Sequence, residues 1–181
     1  MLQRRTLLAA LPLLACAGAR ANVHAPPPEL LRDLPGARLQ GQGRLSFLGL
    51  HVYDARLWAG NTPVAAGWPA GPLALELAYA RSFKGAQIAE RSLKEMKRLA
   101  EVPEARGDQW LSRMRELFPD VKEGDRIMGL HLPAVGARFF ANGQLLGELR
   151  DTEFARLFFG IWLSDKTSEP ALRDALLGRP R

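Results

Sequence analysis

Three strand-like segments, two helix-like segments, three more strands and two more helices predict an α+β fold for this chain. The order βββ-αα-βββ-αα implies a large, mostly antiparallel sheet with helices packed against one face. Three observations carry that expectation. Leu73, Leu75, Leu77 and Tyr79 alternate with Ala74, Glu76 and Ala78, the period of a strand with two unlike faces. Asn142-Gly143 separates two strand-like runs, and this dipeptide suits a two-residue hairpin because both turn residues need positive φ. Trp110, Leu111, Met114, Leu117 and Phe118 recur at helical spacing and form one apolar stripe.

Taken in order, residues 22–36 hold a cluster of prolines and read as an extended lead-in. Leu39, Leu45, Phe47 and the run Leu50-His51-Val52-Tyr53 predict two strands broken at Leu48-Gly49, the second ending at Leu57-Trp58. Gly60-Asn61-Thr62-Pro63 is loop chemistry, and the third strand follows Gly71-Pro72. Ala89, Leu93, Met96 and Ala100 predict a helix that Pro103 stops. Asp108 is placed to cap the next helix, which Phe118-Pro119 ends. After the turn Glu123-Gly124-Asp125 come strands at 127–132, 137–141 and 144–149. Asp151 caps a third helix with Phe154, Leu157, Phe158, Ile161 and Trp162 on one face; Phe159 and Leu163 add a second apolar flank. The last helix spans 168–177, with Pro170 in its first turn and Gly178 beyond its end.

The first residues follow a different logic. Arg4 and Arg5 precede an uncharged, largely apolar run over 7–19, and Ala19-Arg20-Ala21 offers a small-x-small cleavage pattern. This is the three-part order of a secretory signal over residues 1–21, with an apolar run shorter than the ~20 residues of a membrane span. The chain is therefore expected to be exported to a bacterial periplasm, with no transmembrane span in the mature form. A twin-arginine route through Arg4-Arg5 and a lipid anchor on Cys16, in the box Leu13-Leu14-Ala15-Cys16, are variants of the same expectation. Cys16 is the one cysteine among 181 residues, so cleavage after Ala21 leaves a chain without disulfide or thiol chemistry. Losing Arg4, Arg5 and Arg20 with the leader lowers the formal charge from +6 by those three cations. The remaining basic residues alternate with acids, as in Lys94-Glu95-Met96-Lys97-Arg98. That is a solvated helix face, not a nucleic-acid footprint.

Few residues point to chemistry. His24, His51 and His131 are not spaced as metal ligands, no nucleophile elbow is present, and Gly41-Gln42-Gly43 opens no helix. No metal or cofactor is expected. Arg44, Tyr53, Arg56, Tyr79, Arg81 and Lys84 cluster at predicted strand ends, where cations and phenols can hold an anionic or enolate oxygen in an apolar cleft. The same residues can equally snorkel at the rim of a sheet.

Gly43-Arg44-Leu45 through residues 52–58, Gly124-Asp125-Arg126, Asn142-Gly143 with Gly147, residues 154–155 and 159–163, and residues 170–178 together resemble the bacterial chalcone isomerase-like proteins. The resemblance covers about residues 37–178 and implies an antiparallel sheet with layered helices and an apolar ligand cleft between them. Active plant members close a hydroxychalcone to a flavanone, while related plant members bind fatty acids without isomerase activity. Laid on the plant pattern, the catalytic threonine position falls on Leu48 and the catalytic tyrosine position on Ile88, neither of which donates a hydrogen bond. Arg44 and Arg38 both lie near the catalytic arginine position, neither at the expected spacing. The resemblance thus implies a binder of a small, largely apolar ligand, fatty-acid-like or phenolic, with Arg44, Arg56 and Arg81 meeting any anionic end. An isomerase of the intramolecular lyase type, using Tyr53 or Tyr79, and a ligand-free domain that binds a protein partner are the alternatives.

Overall fold

The computed structural model describes residues 25–60, 64 and 68–179, so residues 1–21, expected from their pattern to be an export signal, and Cys16 with them lie outside the described residues. Six strands form one antiparallel sheet in chain order: β1 (Arg38–Phe47), β2 (Leu50–Ala59), β3 (Leu73–Tyr79), β4 (Arg126–Leu132), β5 (Gly136–Ala141) and β6 (Gln144–Leu149). Among the described residues, α1 (Gly85–Leu99) and α2 (Glu104–Leu117) link β3 to β4, and α3 (Thr152–Leu163) and α4 (Pro170–Leu176) follow β6. The predicted order βββ-αα-βββ-αα and the helical layer are therefore present.

Both tight hairpins have the turn that chain twist favours. Leu48 and Gly49 sit at φ 50° and 77°, Asn142 and Gly143 at 49° and 85°. The alternation read in β3 sorts its residues as expected: Leu73, Leu75, Leu77 and Tyr79 enter the main core, while Ala74 joins a smaller one on the other face. The main core is closed by α3, which lies on β4 and β5 and also packs against α1. Its apolar flanks meet the sheet through Phe154, Leu157, Phe158 and Phe159, all buried.

Two local readings are corrected. Helix α2 starts at Glu104 with Pro103 in the N-cap position, so Asp108 is an exposed residue one turn inside and caps nothing. The proline that stops α1 also starts α2, because its fixed φ of −53° suits a helix entry. The lead-in, described from residue 25, is not extended. Pro28–Leu30 is a 3-10 turn, and Leu34 N–H donates to Leu30 C=O at 2.8 Å. This places Leu30, Leu34 and Ala37 over Trp58, Ala74, Met128, Leu130 and Phe140 on the sheet face away from the helices. That face is apolar at its centre and gains by burial against the lead-in. Glu29 pairs with Arg126 at 2.6 Å and Asp33 pairs with Arg138, pinning the turn at both ends.

Gly41-Gln42-Gly43 lies in β1, and its role is close packing. A Cβ on Gly41 would stand 2.2 Å from the Ala175 carbonyl oxygen, because α4 lies directly on this edge strand. The register shift between Leu39 and Gly41 is the bulge that accommodates it.

Asp151 caps α3 as its position predicts, accepting from the N–H groups of Glu153 and Phe154 at 2.9 Å. It also accepts from Trp110 Nε1 at 3.0 Å and from Arg106 Nη2, so one carboxylate ties α2 to the start of α3. Burial alone would raise its pKa, but the hydrogen bonds from Phe154 N–H, Trp110 and Arg106 outweigh it and hold the carboxyl below the usual range. Asp151→Ala is expected to cost about 2 kcal/mol by chemical denaturation, from a lost cap and an unpaired Trp110 N–H. A folded carboxyl that is more acidic than the unfolded one contributes fully above the unfolded value of 3.8. That contribution is lost as pH falls through the lower folded value, so the variant should show a shallower acid limb of stability than the parent.

Candidate functional site

Strand parity decides which side chains reach the space between sheet and helices. In β2, Tyr53, Ala55 and Leu57 point to the main core, so Asp54, Arg56 and Trp58 point away from it. Between the layers lies a cleft of about 470 Å³. Its sheet wall is Leu45, Phe47, Val52, Leu77 and Ile127; its helix wall includes Ile88, Phe158, Ile161 and Trp162. Phe83 and Phe118, from the segments flanking α1 and α2, complete the apolar lining.

Two hydroxyls stand on the sheet wall. Tyr53 Oη accepts a hydrogen bond from Trp162 Nε1 at 2.9 Å, which leaves its own O–H to donate. Tyr79 meets Tyr53 edge-on, with centroids 6.0 Å apart, and its hydroxyl has no hydrogen-bond partner among the described residues. Burial drives the acidity of both phenols far out of the neutral range, and for Tyr79 the neighbouring Tyr53 adds to it. Both are neutral donors at any physiological pH.

The polar border of the cleft comes from α1 and the segment after α3. Gln87, Arg91 and Glu95 stand one turn apart on α1, with Ser92 beside them and Ser168 and Glu169 opposite. Glu95 is nearly buried, pairs with Arg91 Nη2 at 2.9 Å, and accepts from Ser168 Oγ at 3.0 Å. That contact clasps α1 to the chain leaving α3. Among the described residues, no group of three His, Cys, Asp or Glu side chains is placed to hold a metal ion. His131 is a core residue, with Nδ1 3.3 Å from the Gly71 carbonyl oxygen and its ring between Trp68 and Phe159; burial lowers its pKa.

The structure brings Tyr53 and Tyr79 together in this cleft and leaves the four cations named from sequence outside its lining. Arg44 pairs with Asp54 across β1 and β2 at 3.0 Å. Arg56 pairs at 2.7 Å with Glu76, a residue only 2 % exposed on the sheet face away from the helices. Arg81 is exposed just beyond β3, and Lys84, at the N-cap of α1, pairs at the surface with Asp120 at 2.7 Å. The cation that does border the cleft is Arg91. Its signal was legible as the spacing of Gln87, Arg91 and Glu95, which reads equally well as a solvent face until the partner layer is known. Ile88 lines the cleft. Leu48 does not: it is the first turn residue of the β1–β2 hairpin and is 85 % exposed.

A family model described as chalcone isomerase-like matches residues 38–178 of the chain. The chain belongs to the chalcone isomerase-like family. Among solved structures, this family member is similar to a fatty-acid binding protein of Arabidopsis thaliana, at 15% identity and a TM-score of 0.62, covering 78% of this chain and 87% of that one. At that identity the likeness speaks for the fold: an open antiparallel sheet under a helical layer. No curated protein sequence matches the chain.

Proposed function

We propose that this chalcone isomerase-like protein binds a small, largely apolar ligand, fatty-acid-like or phenolic, in the cleft between sheet and helices. The observation that carries the reading is the cleft itself, about 470 Å³ with apolar walls and the neutral hydroxyls of Tyr53 and Tyr79 inside. Its size and lining suit one acyl chain or a pair of aromatic rings. The fatty-acid binding of the similar plant protein supports the acyl version. An oxygen end can accept from Tyr79 O–H or reach the guanidinium of Arg91, which spends one N–H contact on Glu95.

Native mass spectrometry of the protein purified from its own cell envelope tests the reading. A stoichiometric adduct released on denaturation as a fatty acid or phenol supports it; an apo mass that stays apo after incubation with a dansyl-labelled fatty acid and with a hydroxychalcone removes it. Tyr79→Phe should weaken the binding of whichever probe is held by about fivefold, one neutral hydrogen bond, with thermal stability unchanged. Tyr53→Phe is less clean, since it strips the acceptor from Trp162 Nε1 and so lowers stability as well.

Turnover is a second reading, favoured by one feature: two neutral phenols side by side can donate to an oxyanion as it develops. Cyclisation of a hydroxychalcone no faster than in buffer at the same pH ends that reading. Export belongs to the same proposal and is supported by Arg4-Arg5, the apolar run over 7–19 and Ala19-Arg20-Ala21. Determining the N-terminus of the protein from fractionated cells tests it. A start at Asn22 in the periplasmic fraction supports release, a lipidated Cys16 supports an anchor, and an intact Met1 in the cytosol overturns both.

A further inference from the structure

The cleft contains its own gauge of what an anion would meet there. Tyr53 stands on the sheet wall, and the charged side chains among the lining residues are Arg91, Glu95 and Glu169, one guanidinium against two carboxylates. Burial is the main reason the Tyr53 phenol resists ionisation, and it outweighs the hydrogen bond from Trp162. Of the charges around that phenol, Glu169 and Glu95 push the same way as burial and Arg91 pushes back. A phenolate at this oxygen is therefore disfavoured both by dry surroundings and by the balance of border charge. A ligand carboxylate brought to the same place meets the same field.

The one cation among the lining residues is already engaged. Arg91 Nη2 lies 2.9 Å from Glu95, which is 7 % exposed, also meets Arg98 Nε at 3.4 Å and accepts from Ser168 Oγ. A ligand carboxylate at Arg91 would have to share it with this buried acid, whose own charge depends on the pairing. Glu169 has no ion pair among the described residues, and its side chain makes no capping bond at the start of α4, so its charge stands uncompensated on the border. What the interior offers is neutral. Tyr79 is 6 % exposed with its hydroxyl unpartnered, and Tyr53, accepting from Trp162, keeps its O–H to donate. Two neutral donors with no spare cation match an end group that is polar without being charged. We propose that, among the apolar ligands the cleft accommodates, it selects those whose oxygen end is an uncharged hydrogen-bond acceptor, a ketone, ester or alcohol, and disfavours those that end in a carboxylate.

Selection of this kind rests on the cleft being the binding site, and equilibrium binding of radiolabelled dodecanol and dodecanoate at neutral pH tests the two separately. The chains are alike in length, and only dodecanoate is charged. Dodecanol should bind about tenfold more tightly, because the carboxylate gives up its water with no free cation to replace it. Glu169→Gln removes the unpaired charge without touching a cap. It should raise dodecanoate affinity about fivefold and so narrow the preference to about twofold. Dodecanoate bound as tightly as dodecanol, with both weakened by Ile88→Trp, which fills the cleft with an indole, overturns the selection and leaves the cleft reading standing. A preference that Glu169→Gln leaves unchanged also overturns it, because border charge is then not what selects. Binding of neither, or binding that Ile88→Trp does not weaken, removes the cleft reading and the selection with it.

Discussion

Phe139→Ala is expected to destabilise the protein by about 4 kcal/mol, enough to lower the thermal midpoint by roughly 10 °C in a domain of this size. The ring is fully buried at the centre of an aromatic cluster, edge-on to Phe118 and Phe158 at 5.1 Å and to Phe154 at 6.4 Å. Sheet register explains how so many rings fit. Phe139 sits opposite Gly129 on β4 and Gly147 on β6, so both neighbouring strands leave the space above the sheet empty. A Cβ on Gly129 would stand 3.1 Å from the Phe159 ring, and one on Gly147 would stand 2.7 Å from Leu117 Cδ2. Truncating the ring removes edge contacts with three others, two of them held by the backbone of α3 and the third at the end of α2, so the cavity cannot easily collapse. A loss below about 1 kcal/mol in chemical denaturation would mean that α3 settles into the gap, and that the cluster is far softer than its geometry implies.

The largest effect on binding is expected from Ile88→Trp. Ile88 is half-buried on α1 and faces the cleft, so an indole there occupies ligand space instead of displacing packed core. Affinity for a dansyl-labelled fatty acid or a hydroxychalcone should fall about tenfold or more, while stability stays within about 1 kcal/mol of the parent. The comparison with Tyr79→Phe is informative. Filling the cleft should weaken every probe by about tenfold or more, whereas removing one hydroxyl should cost only the smaller, about fivefold, share of one hydrogen bond. Unchanged affinity in Ile88→Trp places the ligand elsewhere and ends the cleft reading.

Much of the fold is legible because its signals are local. The alternation in residues 73–79, the Asn142-Gly143 turn and the cap at Asp151 each act within a few residues, and each element forms where those signals place it. The misreadings also have local causes. Asp108 has the right chemistry for a cap, but Pro103 had already set the backbone for a helix start five residues earlier. The proline cluster of the lead-in reads as an extended linker because nothing in those residues announces the apolar sheet face that Leu30 and Leu34 cover.

The candidate site divides in the same way. Tyr53 and Tyr79 were recognisable as phenols on strands, and cross-strand pairing sets them opposite each other in the cleft. Arg44 and Arg56 were recognisable as strand cations, but parity turns both to the outer face, where Asp54 and Glu76 lie directly across the strand pair. A shift of one position would reverse those assignments, and parity relative to a core cannot be known before the core exists.

The sequence by itself determined the order of the elements, the two hairpins, the cap of α3 and the membership in an α+β class, because backbone preference and hydrophobic period act over a few residues. It also carries the leader-like pattern over residues 1–21 on which the export proposal rests. The tertiary structure alone decided that Arg91 borders the cleft and Arg56 does not, that the lead-in closes the second face, and that Leu48 projects from a hairpin turn instead of lining the site. Each of these depends on which layer comes to lie over which face of the sheet, a matter of contacts between residues tens of positions apart.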